Sequence, residues 1–170
     1  MDDYWRQNAD LQHITPGGVE FPEEGLFEAL QLVCGRTVFE FGCGYGRLAP
    51  AFPADSYAGM DINPVAIQEA RTRNPGYSFG AEWVEADTLL AYTVLLHIED
   101  DRIGEIIQCM KDYPRIVIGE IMGRQWRRPG NPPVFNREPE EYAELVGRDY
   151  RTVLLPYRRY GTDLTLMVFE

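Results

Sequence analysis

The sequence lacks most of the features that would send it to a membrane or an oxidising compartment. No apolar run approaches the roughly 20 residues that a bilayer-spanning helix needs, so no membrane partner is expected. Its first residues, Met1-Asp2-Asp3-Tyr4-Trp5-Arg6, are acidic and polar, whereas a secretory leader is basic and then apolar. Only three cysteines occur, Cys34, Cys43 and Cys109. They are odd in number and without metal-ligand spacing, and read as reduced thiols of a cytoplasmic protein with no metal site. Positive charge is scarce: 16 Lys and Arg stand against 27 Asp and Glu, a net charge of −11. Such a surface repels phosphate backbones and disfavours non-specific nucleic-acid binding. Internal repeats, low-complexity tracts and linker-like stretches are missing too, so the 170 residues read as one domain able to bury a sizeable core.

What is present alternates between two periods. Residues 1–35 read as helical, interrupted by Thr-Pro-Gly-Gly at 15–18, with Leu26, Phe27, Leu30 and Val33 at helical spacing. A strand at about 37–41 runs into a glycine loop, and a short helix is predicted around 46–52. Ser56 to Met60 reads as a second strand. Asn63-Pro64 then opens a helix to about Arg73, because Asn caps well and Pro suits the first helical position. Tyr77–Phe79 and Thr88–Val94 read as strands, and the 80–87 segment between them is too short for a crossover helix. After Asp100-Asp101, Ile103, Ile106, Ile107 and Met110 form the apolar stripe of a helix. Arg115–Glu120 is a fifth strand, residues 121–137 a loop with four arginines and three prolines, and Pro139–Val146 a short helix. Strands at about 150–157 and 163–169 close a hairpin. This order predicts an α/β fold: a Rossmann-like, doubly wound sheet of seven mostly parallel strands with a C-terminal antiparallel hairpin.

In such sheets ligands bind beyond the carboxyl ends of the strands, where strand order reverses. The stretch Val38-Phe-Glu-Phe-Gly-Cys-Gly-Tyr-Gly46 lies there. Gly42, Gly44 and Gly46 lack a Cβ, so the backbone can turn tightly and approach a ligand. Glu40 stands two residues before the first glycine, where its carboxylate can meet a cationic group; S-adenosylmethionine is the obvious cationic candidate. A phosphate cradle would hardly place an acid there. Asp61 follows Gly42 by 19 residues, at the end of the neighbouring strand. A nicotinamide dehydrogenase shares glycines and a later acid, but its Gly-x-Gly-x-x-Gly pattern meets Arg47 at the sixth position.

The set Glu40-Phe-Gly-Cys-Gly-Tyr-Gly-Arg-Leu48, Gly59-Met-Asp-Ile-Asn-Pro64 and Val94-Leu-Leu-His-Ile98 resembles the class I S-adenosylmethionine-dependent methyltransferases, well over residues 36–120 and more loosely elsewhere. The resemblance implies S-adenosylmethionine as cofactor, with S-adenosylhomocysteine as product. It places Gly42, Cys43 and Gly44 with Gly46 at the amino-acid end of the cofactor, Glu40 at its ammonium, and Asp61 with Ile62 at the ribose. Glu82 and Trp83 are the best fit to the adenine contact, with Glu85 and Asp87 as alternates. Ala91 and Tyr92, at the end of the fourth strand, are expected to face the methyl donor and acceptor. They replace the Asn/Asp-Pro-Pro-Tyr of methyltransferases that act on adenine or glutamine. No Pro-Cys pair occurs, which removes the cytosine C5 mechanism with its nucleophilic cysteine.

Methyl transfer leaves the protein mostly alignment to supply, plus a base for an oxygen acceptor. His97 and Glu120 are the candidate bases; His13 would join them if the N-terminal region forms a lid. Tyr4 and Trp5 are candidates to close over the site. Arg124, Arg127, Arg128 and Arg137, with Arg158 and Arg159 on the hairpin, suggest an anionic acceptor or simply a solvated face. The expectation is methyl transfer to an O or N nucleophile of a small acceptor. Little chain remains to build the acceptor pocket, so the cleft is open or is completed by a second subunit of a homo-oligomer. The alternatives are a non-catalytic cofactor-binding scaffold of the same fold, or a nicotinamide-linked oxidoreductase.

Overall fold

The computed structural model describes residues 2–7, 25–130, 133–157 and 161–170. The Thr15–Gly18 break, His13, Arg158 and Arg159 lie outside the described residues. Helices α1 (Asp2–Gln7) and α2 (Leu26–Val33) precede strand β1 (Val38–Phe41). Then come β2 (Tyr57–Met60), α3 (Pro64–Arg73), β3 (Ser78–Gly80), β4 (Thr88–Tyr92), α4 (Ile103–Met110), β5 (Arg115–Glu120), α5 (Pro139–Val146), β6 (Tyr150–Tyr157) and β7 (Thr162–Phe169). They form one seven-stranded sheet in the order β3-β2-β1-β4-β5-β7-β6. β1 pairs in parallel with β2 and β4, β2 with β3, and β4 with β5. Only β7 runs against its neighbours, antiparallel to both β5 and β6. Strand order reverses between β1 and β4, the location expected for a ligand.

The period of two along each strand divides the core into two layers. Val38 of β1, Leu90 and Tyr92 of β4 and Val117 of β5 pack in one layer with α2, α3 and Leu48. Phe39, Leu89, Ala91, Ile116 and Ile118 pack in the other against Ile103, Ile107 and Met110 of α4 and Tyr142 and Val146 of α5. Asn63 caps α3 as its sequence promised: Oδ1 accepts from Val65 N–H (2.9 Å) and Ala66 N–H (3.3 Å), with Pro64 at the first position.

Two local expectations change. The helix predicted around 46–52 is only a single 3-10 turn at Ala49–Ala51. Pro50 has no amide proton to donate, and Pro53 pushes Phe52 into extended backbone, so an α-helix cannot propagate. The fourth strand stops at Tyr92, because Thr93 takes φ 51° and stands alone among the described non-glycine residues in the left-handed region. That conformation is strained for a β-branched side chain. Its N–H donates to Gly119 O (2.8 Å) and its hydroxyl accepts from Arg47 Nη2 (3.0 Å), which holds the turn.

Candidate functional site

At the carboxyl ends of β1, β2 and β4 lies a cleft of about 470 Å³. Its floor is the turn after β1. Gly42 takes φ 73°, and a Cβ there would lie 2.3 Å from Val94 Cγ2; only glycine fits. Cys43 N–H donates to Met60 O (2.8 Å), tying the turn to β2. Gly46 (φ 75°) does not line the cleft. It packs behind the turn, where a Cβ would stand 2.7 Å from the Phe79 ring, and Asn74 Nδ2 donates to its carbonyl (3.2 Å). Gly46 therefore shapes the loop without facing a ligand.

Two carboxyl groups stand at the glycine-turn end of the cleft. Glu40 is 2% exposed and accepts the Tyr57 hydroxyl proton. Burial pushes its carboxyl up to about 7, against the opposing pull of the Tyr57 bond and the Arg47 charge. Asp61 Oδ2 accepts from Gly44 N–H (2.9 Å) and Oδ1 from Asn63 N–H (2.8 Å). Burial raises it too, and the backbone donors Asn63, Gly44 and Ile62 pull it back down. The carboxylate still has accepting capacity left for a ligand hydroxyl. The Cys43 thiol, buried and beside both acids, is pushed well up, so it stays protonated and is no nucleophile.

An apolar wall of Phe41, Met60, Ile62, Trp83 and Ile106 continues from Asp61. Trp83 is 39% exposed and stacks on Phe41 with ring centroids 5.3 Å apart and planes at 20°. It offers a flat face at the edge of the cleft. On the far side stand Tyr92, Thr93, Val94, Leu96 and His97, and Trp5 of α1 lies over the imidazole with centroids 4.9 Å apart. Arg47 Cζ is 5.0 Å from the Tyr92 ring centroid, a cation–π distance. Burial drives His97 down to about 4, with Arg128 adding to the effect. Its Nδ1 lies 3.3 Å from Pro133 O. A carbonyl only accepts, so Nδ1 carries the proton and Nε2 keeps its lone pair at neutral pH.

Of the residues expected at the site, the fold gathers Trp5, Glu40, Gly42, Cys43, Gly44, Asp61, Ile62, Trp83, Tyr92 and His97 around this cleft. Tyr4 packs edge-on against Trp5 (5.0 Å) and does not line it. Several placements differ from expectation. Glu82 and Glu85 are exposed and do not line the cleft, although Trp83 between them does. Asp87 precedes β4 at the opposite end of the sheet, where its Oδ2 accepts from Thr37 N–H (3.0 Å). Ala91 points into the α4–α5 layer, because the strand's alternation gives the cleft to Tyr92. Glu120 is 1% exposed and lies behind the cleft wall, where Oε1 accepts from Leu96 N–H (3.0 Å). Its other oxygen has no hydrogen-bond partner among the described residues, and burial lifts the carboxyl to about 8.

The arginine loop is likewise reassigned. Arg124 pairs with Glu141. Arg127 makes a two-pronged contact with Asp100 (2.7 and 3.0 Å), and buried Arg137 also reaches Asp100 (2.7 Å). Arg124, Arg127 and Arg137 do not line the cleft, so these three bring no charge to an acceptor there, whereas Arg128 is close enough to His97 for its charge to act on the imidazole. Sequence reasoning passed over Arg47 and Arg102, the arginines that do line it. For Arg47 the signal was its position directly after the glycine loop.

No protein-family model matches this chain, and neither does any curated protein. Solved structures do. Magnesium protoporphyrin IX methyltransferase from Synechocystis PCC 6803 with bound SAH superposes with a TM-score of 0.73 at 16% identity, over 99% of this chain and 98% of that one. The 1,6-didemethyltoxoflavin-N1-methyltransferase of Burkholderia thailandensis gives 0.68 at 16% identity, covering 98% and 83%. The N-methyltransferase NodS of Bradyrhizobium japonicum WM9, in complex with S-adenosylhomocysteine, gives 0.62 at 21%, covering 85% and 82%. By these superpositions this chain has the fold of the class I S-adenosylmethionine-dependent methyltransferases.

Proposed function

We propose that the chain transfers a methyl group from S-adenosylmethionine to an oxygen or nitrogen of a small acceptor. The observation that carries this reading is the pair of acids at the glycine turn. Glu40 is a buried carboxyl whose ionised form the protein alone does not stabilise, as its elevated proton affinity records; a cationic ligand group beside it would. Asp61 is already oriented by backbone donors and keeps accepting capacity for the ribose hydroxyls. The Phe41–Trp83 wall suits a flat heterocycle. These residues fit the cofactor: Glu40 at its ammonium, Asp61 at its ribose, and Trp83 with Ile62 and Met60 at its base. Bound there, S-adenosylmethionine supplies an electrophilic methyl on a sulfonium.

Tyr92, Thr93 and Val94 then form the surface along which the acceptor aligns, and alignment is the larger part of the work. His97 takes the proton of a hydroxyl or ammonium acceptor on Nε2, since Nδ1–H is committed to Pro133 O. Trp5 over the imidazole keeps water from that end. A cleft of this volume suits a small acceptor beside the cofactor.

Calorimetry with S-adenosylhomocysteine and NAD, side by side, tests the reading. Binding of S-adenosylhomocysteine that Asp61→Ala weakens supports it; binding of NAD alone overturns it. Formation of S-adenosylhomocysteine on a panel of small hydroxyl and amine acceptors tests the transfer itself.

A further inference from the structure

The segment Leu95–Ile98, which carries His97, is held from behind by groups that never reach the cleft. Leu96 N–H donates to Glu120 Oε1 (3.0 Å). Leu96 O accepts from Phe135 N–H (2.7 Å). One Arg137 guanidinium spans the segment, giving Nη1 to Leu95 O (3.1 Å) and Nη2 to Ile98 O (2.7 Å). Nη2 also meets Asp100 (2.7 Å), which is in turn gripped by the Arg127 fork. Arg127 Nε closes the circuit on Asn136 O (2.7 Å).

This arrangement is costly. Arg137 is 2% exposed and Glu120 1%; burying the guanidinium charge costs several kcal/mol unless well compensated, and a buried carboxyl with an unpartnered oxygen is costly even when it holds its proton. Apolar side chains of similar size would fill the same space more cheaply. They could not grip the backbone groups of Leu95, Leu96 and Ile98, which set the height and rotation of the His97 ring. Leu96, His97 and Ile98 all line the cleft, so an error in this turn passes directly to the cleft wall.

We propose that Arg137 and Glu120 are positioning residues, a buried polar clamp whose work is to hold the His97 imidazole in its cleft-facing orientation with Nδ1 on Pro133 O. They touch neither acceptor nor cofactor. The inference rests on the cleft being the methyl-transfer site, but its test does not require turnover.

The full chain is labelled with 15N-histidine and its ring nitrogens are read by NMR. Two histidines are present, and a His13→Asn background isolates His97. The intact clamp is expected to give a single Nδ1–H tautomer and a titration midpoint near 4. Arg137→Met is expected to produce a tautomer mixture and a midpoint moved toward 6.5. Glu120→Gln keeps an oxygen for Leu96 N–H and is expected to match the parent, whereas Glu120→Leu shifts it. Where Arg137→Met fails to fold, Arg137→Lys and Asp100→Asn decide, because each weakens the grip without emptying the interior. S-adenosylhomocysteine affinity within about threefold of the parent certifies that the glycine-turn end is intact. A parent-like tautomer and midpoint in folded Arg137→Lys and Asp100→Asn overturns the proposal. Failure of the parent chain to bind S-adenosylhomocysteine would instead sink the functional reading and leave the NMR result standing.

Discussion

Replacing Glu40 by Gln separates what this residue does for a ligand from what it costs the fold. The carboxyl rises from its ordinary 4.5 to about 7 in the folded chain. Between those values the folded state keeps a proton that the unfolded state has released, so stability falls as pH rises through that window. Above about 7 the deficit is complete. At 1.36 kcal/mol per pH unit it amounts to about 3 kcal/mol. Gln is neutral throughout and its side-chain oxygen can still accept the Tyr57 hydroxyl proton. The variant and the parent should therefore be equally stable near pH 4.5. At pH 8 Glu40→Gln should be the more stable by up to about 3 kcal/mol, on the order of 10 °C in Tm for a chain of this size. Glu120, lifted to about 8, adds a parallel decline, but it is common to both proteins and cancels in the difference.

Ligand binding should move the opposite way. A cationic ammonium beside Glu40 favours the ionised form, so parent affinity for S-adenosylhomocysteine should climb as pH approaches and passes 7. The Gln variant should bind more weakly and show no such climb. Urea unfolding of the ligand-free proteins at pH 5, 6, 7 and 8, with calorimetry at the same pH values, reads both halves. Equal stability of the two proteins at pH 8 would refute the argument from burial. A variant that binds as tightly as the parent at pH 8 would refute the ammonium contact.

Asp61→Ala should lose hydrogen bonds to both ribose hydroxyls, charge-assisted bonds worth about 1.5–3 kcal/mol each, and weaken S-adenosylhomocysteine binding by at least 10-fold in calorimetry. Asp61→Asn, which keeps one acceptor oxygen, should lose less. Gly42→Ala must adopt a left-handed φ, a cost of about 1–2 kcal/mol, and also presses on Val94. Urea midpoints should show a larger loss than φ alone explains, with the excess recovered in a Val94→Ala background. With an oxygen acceptor and saturating cofactor, the acid limb assigned to His97 should fall near pH 4 and not near 6.5, because the neutral base persists down to its lowered value. His97→Asn should slow turnover by 10²–10⁴-fold, the usual range for a general base. Arg124→Ala breaks a largely exposed ion pair with Glu141 and should cost less than about 1 kcal/mol, leaving S-adenosylhomocysteine affinity unchanged.

The glycine-turn end of the cleft was legible because it is built from local sequence. Glycines that must turn, an acid inside a short apolar strand and an acid at the next strand's end all lie within 22 residues, and each has its meaning fixed by backbone geometry. The terminal hairpin and the Asn63 cap were readable for the same reason. Face assignment at the end of β4 was less secure, because it depends on parity. Thr88–Val94 reads as one continuous strand, and only Thr93 in left-handed backbone, held by Arg47 and Gly119, shows where the pleat stops. One residue of uncertainty there exchanges Ala91 for Tyr92. Against a helix at 46–52 the sequence already carries its own signal, since Pro50 and Pro53 both oppose one.

The arginine loop shows a deeper difficulty. Four arginines among three prolines carry the same charge whether they await an anion or brace a turn. What separates the two cases is the partner: Asp100 lies 27 and 37 residues before Arg127 and Arg137, and Glu141 lies 17 after Arg124. No periodicity links those positions; docking of the loop after β5 onto the loop after β4 brings Arg127 and Arg137 to Asp100, and its return onto α5 brings Arg124 to Glu141. The same docking buries Arg137 against the carbonyls of Leu95 and Ile98. Arg127 and Arg137, which the sequence offers to an anionic acceptor, are instead paired with Asp100, and Arg137 also holds the backbone on either side of His97.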